Sequence, residues 1–286
     1  MSLSSQLVYL NGEFLPQDEA RVPVLDRGFL FGDGVYEVIP VYGGRPLRLA
    51  EHLRRLERSL SAIHMEAPLS DHAWSSIIDR LIDGPEDQQI YIQVTRGVQP
   101  KRDHAIPASV TPTVYAMSSR IAPIPSGGIK AVTVTDIRWD RCDIKAITLL
   151  ANVLLRQEAI SRGAAEAVIV RDGLALEGAA SNLFIVQKDA IITPPKGDTI
   201  LPGITRDLVL EIAQEAGFTT VERTISLPEL RGADEIWFTS STREILSVTE
   251  LDGLPVSGGA PGPIWKVVLA KYQDYKRRLR EESIAK

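Results

Sequence analysis

Between Ser118 and Gly128 the chain reads S-S-R-I-A-P-I-P-S-G-G, and no regular element survives such a run. Pro123 and Pro125 remove backbone donors and push the residues before them into extended conformations, while Gly127-Gly128 leaves the backbone unconstrained. A break of this kind divides 286 residues into two bodies, each long enough to bury a core of its own. The expected division is a smaller N-terminal domain over 1–120, a linker over 121–128 and a larger C-terminal domain over 129–286.

Before the break, Leu7 to Leu10 and Glu13 to Leu15 flank Asn11-Gly12, the pattern of a hairpin closed by a tight turn. From Asp26 to Tyr42, D-R-G-F-L-F-G-D-G-V-Y-E-V-I-P-V-Y sets three glycines ahead of an alternating segment of Val35, Tyr36, Val38 and Ile39. The glycines suggest a phosphate loop, but a strand period follows them and no helix starts there, so the dinucleotide and Walker fingerprints fail on context. The stretch reads as a loop feeding a strand whose side chains line a cavity. Leu49, Leu53, Leu56 and Leu60 mark one face of a helix from Arg48 to Ile63, with Arg54, Arg55 and Arg58 off that stripe. A second helix is expected over Asp71 to Ile82, and strands over Gln89 to Arg96 and Pro112 to Ser118. The loop between those strands holds Lys101, Arg102 and His104 among prolines. A guanidinium and an imidazole two residues apart suit a carboxylate, because Arg presents a planar fork of donors; a solvated basic loop is the other reading.

After the break, Lys130 to Asp136 alternates as a strand, and Leu149, Leu150, Val153, Leu154 and Ile160 recur at helical spacing, with Thr148 as N-cap and Gly163 as stop. Lys145 falls in the junction between the two. Its neighbours Ile144, Ala146 and Ile147 are apolar, and such surroundings near the positive end of a helix disfavour an ammonium. A neutral amine is the nucleophile that Schiff-base chemistry with a carbonyl cofactor requires. The alternative is a lysine that snorkels its charge to solvent. Short strands are expected at 167–170, 174–176, 183–186, 190–193, 219–225 and 235–239, with helices over 205–216 and 264–280. Strands and helices mix without regular alternation, which makes the class α+β.

Three further features of this half suit one cofactor. Leu201-Pro202-Gly203-Ile204-Thr205-Arg206 leads into a helix whose open N–H groups favour a phosphate. Thr239, Ser240, Ser241 and Thr242 gather hydroxyls at a strand end. Glu177 ends a strand, and a carboxylate against a pyridine nitrogen keeps that nitrogen protonated and the ring a strong electron sink.

Composition removes other classes of function. A formal charge of -5 gives no nucleic-acid footprint and no attraction to an anionic membrane, and no window is long and apolar enough to span one. The opening M-S-L-S-S-Q-L-V-Y-L-N-G lacks the charged and apolar regions of a secretion signal. A single cysteine, Cys142, excludes an intrachain disulfide and a cysteine-cluster zinc site. It is read as a small buried hydrophobe rather than a catalytic thiol, and the expected compartment is the cytoplasm.

Six stretches also carry a resemblance: D-R-G-F-L-F-G-D-G-V-Y-E-V, E-H-L-R-R-L-E-R-S, D-I-R-W-D-R-C-D-I-K, L-E-G-A-A-S-N-L-F, L-P-G-I-T-R and F-T-S-S-T-R-E-I. In that order they span nearly the whole chain, and together they resemble the fold-type IV pyridoxal-phosphate enzymes. That group includes D-amino-acid transaminase, branched-chain aminotransferase and aminodeoxychorismate lyase. The resemblance implies an N-terminal α/β sandwich, a larger C-terminal pseudo-barrel, and pyridoxal 5′-phosphate as cofactor. It implies Lys145 as the Schiff-base lysine and Glu177 against the pyridine nitrogen. It implies a phosphate held by Arg55, by the backbone of Ile204 and Thr205, and by Ser241, with His52 a structural helix residue. Tyr36 with the R-D-H of Arg102 to His104 is similar to the carboxylate trap of the D-amino-acid enzymes, and Arg138-Trp139 is similar to that subgroup as well. The subgroup's activity is then implied: transamination of D-amino acids such as D-alanine with a 2-oxo acid such as 2-oxoglutarate, in a homodimer whose trap comes from the neighbouring subunit's loop. An L-branched-chain aminotransferase or an aminodeoxychorismate lyase is the alternative, since the cofactor motifs are shared. One departure is Ala179-Ala180-Ser181, where the D-amino-acid enzymes carry a run of serines; it leaves no hydroxyl at 179 or 180.

Overall fold

The computed structural model describes residues 6–125 and 127–284; Ser126 of the expected linker and the first five residues of the N-terminal segment lie outside the described residues. The chain divides into two compact units, unit 1 made of Met1–Ile121, Ile144–Thr148 and Leu279–Lys286, and unit 2 made of Ala122–Asp143 and Leu149–Arg278. Among the described residues, no helix is long and apolar enough to cross a membrane.

Unit 1 begins with the hairpin of β1 (Leu7–Leu10) and β2 (Glu13–Pro16). Asn11 at φ 50° and Gly12 at φ 102° close it, a turn that needs two left-handed residues and so takes Asn-Gly. Helix α1 (Arg27–Phe31) follows, capped by the Asp26 side chain, which accepts from Gly28 N, and ended by Gly32 at φ 67°. Sequence reading expected only a loop here, because five residues are too few to show a helical period. Strand β3 (Gly34–Tyr42) buries Val35, Glu37, Ile39 and Val41 on one face. β4 (Arg45–Pro46), α2 (Leu49–Ala62), α3 (Asp71–Leu81), β5 (Gln88–Thr95) and β6 (Thr113–Arg120) complete the unit. The six strands form an antiparallel sheet in the order β2-β1-β6-β5-β3-β4. Leu53, Leu56 and Leu60 of α2 meet Trp74 and Ile78 of α3 over Ile39, Ile90 and Ile92 of the sheet. Each leucine so buried contributes roughly 2 kcal/mol.

Unit 2 carries β7 (Ile129–Thr135), α4 (Leu150–Ser161), β8 (Glu166–Arg171), β9 (Leu174–Gly178), β10 (Asn182–Gln187), β11 (Ala190–Thr193), α5 (Ile204–Glu215), β12 (Thr220–Glu222), β13 (Ile225–Ser226), α6 (Leu227–Arg231), β14 (Glu235–Ser240), β15 (Glu244–Leu251), β16 (Leu254–Pro255) and α7 (Pro263–Ile284) as far as Arg278. Its sheet runs β12-β11-β10-β14-β15-β7-β8-β9-β13, with β16 beside β15. A further pairing of Asn182 with Glu177 joins β10 to β9, so β10-β14-β15-β7-β8-β9 returns on itself as a barrel. Closure removes exposed edges, and it fixes Glu177 at the seam. The mixed elements and the barrel-like sheet make the fold the two-domain α+β architecture expected.

Two expectations are corrected. Residues 144–148 pack with unit 1 rather than with the C-terminal body to which a single cut at 121–128 assigned them. Parallel strands β7 and β8 need a crossover, and the 136–149 segment that leads into α4 is long enough to leave the barrel. Ala146 bridges Val35, and Ile144 and Ala146 are buried in the unit 1 core. The second correction concerns α4. Leu149 occupies its N-cap without a side-chain bond, so Thr148 does not cap it. The helix packs through Leu155 and Ala159, while Leu150, Val153, Leu154 and Ile160 stand exposed. Asn152 Nδ2 donates to the Ala179 carbonyl at 2.9 Å, which sets the rotation of the helix and turns its apolar stripe outward.

Candidate active site

Lys145 sits in a non-helical stretch between two fixed elements of unit 1. Its N–H donates to Ser59 Oγ of α2 at 3.2 Å, and its carbonyl accepts from Tyr36 N of β3 at 2.9 Å. Ile147 N donates to the Gly34 carbonyl at 3.1 Å, so the backbone on both sides is tied to the same strand. With Ile144 and Ala146 buried and Lys145 half-buried, the alternation sends the lysine side chain the other way, where Nζ lies 4.2 Å from the centroid of the Tyr36 ring. The result is a primary amine on a rigid backbone with an aromatic face against it.

Arg55 is buried rather than solvated. Its Nε and Nη2 donate to the two oxygens of Glu37 at 2.7 and 2.9 Å, and His52 Nδ1 meets Glu37 at 2.8 Å. Burial pushes the Glu37 carboxyl up, but Arg55 and His52 outweigh it and hold the group well below the usual carboxylate range. Burial also depresses His52, against the pull of Glu37. An ionised Glu37 accepts only, so the neutral imidazole donates from Nδ1 and keeps a lone pair on Nε2, a buried atom with no partner. Glu37 and His52 were not among the residues singled out for chemistry. A signal was present: Glu37 occupies the buried register of a strand, and a carboxylate there needs a cation.

Arg102 and His104 lie on the exposed loop between β5 and β6. The Arg102 guanidinium stands 5.0 Å from the Phe31 ring centroid, and the His104 ring 5.1 Å from it. The structure therefore brings these two together on α1, and Tyr36 and Lys145 together on β3. Within unit 1 it shows no bond from either member of the first pair to the second pair.

In unit 2, Glu177 is buried at the barrel seam. Arg138 Nη1 donates to Oε1, and Leu201 N and Asn182 Nδ2 donate to Oε2 at 3.1 and 3.3 Å. Arg138 is itself held by Asp136 at 3.0 Å. Ile204 and Thr205 open α5 behind Gly203, which offers no side-chain cap to the first-turn N–H groups. A Cβ on Gly203 would lie 1.9 Å from Asn182 Oδ1, so the turn into α5 needs glycine to sit this close to the seam. Ser241 is half-buried in the turn after β14, and the adjacent Thr239 hydroxyl is buried without a partner. Ser181, the one hydroxyl left by the two alanines, is engaged: it donates to Glu166 Oε2 at 3.0 Å. Cys142 is buried, and that burial pushes its thiol up to about 11, outside the range of a nucleophile at neutral pH.

Taken unit by unit, the groups suit pyridoxal phosphate: unit 1 offers an amine for an aldehyde, and unit 2 offers an anchored carboxylate for a ring nitrogen and an uncapped helix start for a phosphate. Residues 34–251 match the family model described as amino-transferase class IV. The chain is 40% identical over 272 residues to a D-alanine aminotransferase of Bacillus licheniformis, covering 93% of this chain and 96% of that one. It is 37% identical over 274 residues to a D-alanine aminotransferase of Staphylococcus haemolyticus, covering 94% and 97%. Among solved structures, it superposes with a TM-score of 0.88 on a branched-chain aminotransferase of Thermoproteus uzoniensis with norvaline, at 28% identity over 98% of this chain and 97% of that one. The branched-chain amino acid aminotransferase of Escherichia coli gives 0.89 at 26% identity, over 94% of each.

Proposed function

This chain belongs to the amino-transferase class IV family, and from that premise we propose that it moves the amino group of a D-amino acid such as D-alanine to a 2-oxo acid such as 2-oxoglutarate. One observation carries the substrate class: the relatives that match nearly end to end at 37–40% identity are D-alanine aminotransferases, whereas the branched-chain enzymes of similar fold stand at 26–28%.

The cofactor of the family is pyridoxal phosphate, which when bound supplies an electron-withdrawing ring that stabilises the carbanion left as a substrate's α-proton departs. Lys145 is assigned the covalent hold on its aldehyde. The Lys145 amine, on a backbone fixed through Ser59 and Tyr36, would serve as the base that carries the proton taken from the substrate's α-carbon. Glu177 keeps a proton on the ring nitrogen, and Arg138, Asn182 and Leu201 N prevent its carboxylate from swinging away. Arg55, the Ile204 and Thr205 amides and the Ser241 hydroxyl hold the phosphate. Tyr36, Arg102 and His104 pin the substrate carboxylate, which decides the face the α-proton presents to Lys145 and hence D against L.

We further read the protein as a cytoplasmic homodimer. The exposed apolar face of α4, with Leu150 at 72% and Val153 at 59% exposure, supports the dimer, because monomers rarely leave such a stripe in water. A lone buried thiol suits a reducing compartment. The deciding experiment follows loss of the cofactor's absorption band in single half-reactions with D-alanine, L-alanine, D-glutamate and L-leucine. Rapid conversion by the D-amino acids is expected. Conversion by L-leucine alone would replace the D-amino-acid reading with the branched-chain one.

A further inference from the structure

Arg27, only 4% exposed, spends its guanidinium on one loop. Nη1 donates to Gln99 Oε1 at 2.6 Å and to the carbonyls of Asp103 and Ala105 at 2.6 and 3.2 Å, and Nη2 donates to the His104 carbonyl at 3.3 Å. Nε donates to Asp33 at 2.7 Å, and Arg96 binds the same carboxylate from the other side. Three of these acceptors are consecutive backbone carbonyls immediately after Arg102. One turn further along α1, Phe31 stands under both Arg102 and His104. The segment from Gly97 to Pro112 contains no helix or strand; its start is held by a bridge between Asp26 and Val98 and by Arg27 N donating to the Gly97 carbonyl at 2.8 Å, and the Arg27 side chain fixes its backbone at 103–105.

We propose that Arg27 and Phe31 are positioning residues that set Arg102 and His104 in place for the substrate carboxylate before it arrives. The inference rests on the carboxylate-trap reading of Arg102 and His104. An exposed arginine on an unpinned loop surrenders backbone and rotamer freedom when it binds, and that loss subtracts from affinity. Here the backbone freedom is already taken by Arg27 and the guanidinium is already laid on an aromatic face. Lysine cannot stand in for Arg27, since a point ammonium does not reproduce a planar fork that reaches four loop acceptors and an aspartate together.

The test uses purified holoenzyme with D-alanine and 2-oxoglutarate. Arg27→Lys should raise KM for D-alanine about tenfold while kcat stays within about threefold, and Phe31→Leu should raise it about threefold. The affinity for pyridoxal phosphate, titrated into apoenzyme, should not move. Arg102→Ala supplies the control, and the double variant Arg27→Lys/Arg102→Ala should show a KM well below the product of the two single effects, because only His104 is left to position. If Arg27→Lys fails to fold, Phe31→Leu with and without Arg102→Ala makes the same comparison. A KM raised by Arg102→Ala but unmoved by Arg27→Lys and Phe31→Leu overturns the inference and leaves the trap standing. Additive effects in the double variant overturn it too, since they mark independent structural damage. A KM unmoved by Arg102→Ala removes the trap and the inference together.

Discussion

Replacing Glu37 by glutamine should loosen unit 1 by about 3 kcal/mol. Glu37 is fully buried and accepts from Arg55 Nε and Nη2, from His52 Nδ1, and from Val38 N at 3.2 Å. A glutamine keeps one acceptor oxygen, so one of the two Arg55 bonds survives and the other meets an amide donor. His52 adapts by moving its proton to Nε2, because its pairing depends only on the tautomer. What does not adapt is the Arg55 charge, which stays buried with no counter-charge from Glu37, and breaking one side of such a pair costs roughly 3–5 kcal/mol. Set against the single bond retained, the lower end of that range is expected, an increase of about a hundredfold in the opening equilibrium. Native-state hydrogen exchange on apoprotein, followed in peptides from β3 and α2, reads the opening of this unit without averaging over the other. The double variant Glu37→Leu/Arg55→Met should lose less than Glu37→Gln alone, since two apolar groups leave no orphaned charge. A loss under about 1 kcal/mol for Glu37→Gln, or a double variant worse than the single, would refute the account of the pair.

Lys145→Ala should reduce turnover by at least about a thousandfold, and borohydride reduction, which should fix the cofactor to Lys145 in the parent protein, should leave no labelled peptide in the variant by mass spectrometry. Asp33 supplies a pH dependence: burial raises its carboxyl, but Arg96 and Arg27 outweigh that and hold it below the usual value. A depressed folded-state pKa stabilises fully above the unfolded value near about 4 and is lost as pH falls through the folded value. The stability gap between parent and Asp33→Asn should therefore be flat above about pH 5 and shrink below about pH 4 in thermal melts, and a constant gap would contradict the pairing. Leu150→Lys/Leu154→Lys, read by sedimentation, should shift a dimer toward monomer while leaving the fold intact; an unchanged mass would remove α4 from the interface.

Local chemistry alone determined a good deal of this protein. Asn11-Gly12 dictates the first turn and the leucine spacing dictates α2, because each depends on backbone preferences within a few residues. The family motifs named the cofactor for a similar reason, since each is a short string with its own stereochemistry. Tertiary structure decided which distant group answers each charge. Arg55 lies off the leucine stripe and looks solvated until β3 places Glu37 against it, and Arg27 looks like part of a glycine-rich loop until residues 99–105 fold onto it. It also decided that Ile144 to Thr148 leaves the barrel for the first unit, and that the apolar stripe of α4 faces out. Periodicity reports that a face is apolar, but which neighbour covers it, or whether any does, is settled by contacts between residues far apart in sequence. Those contacts are chosen by the balance of buried area against ordering entropy over the whole chain, which no short stretch of sequence contains.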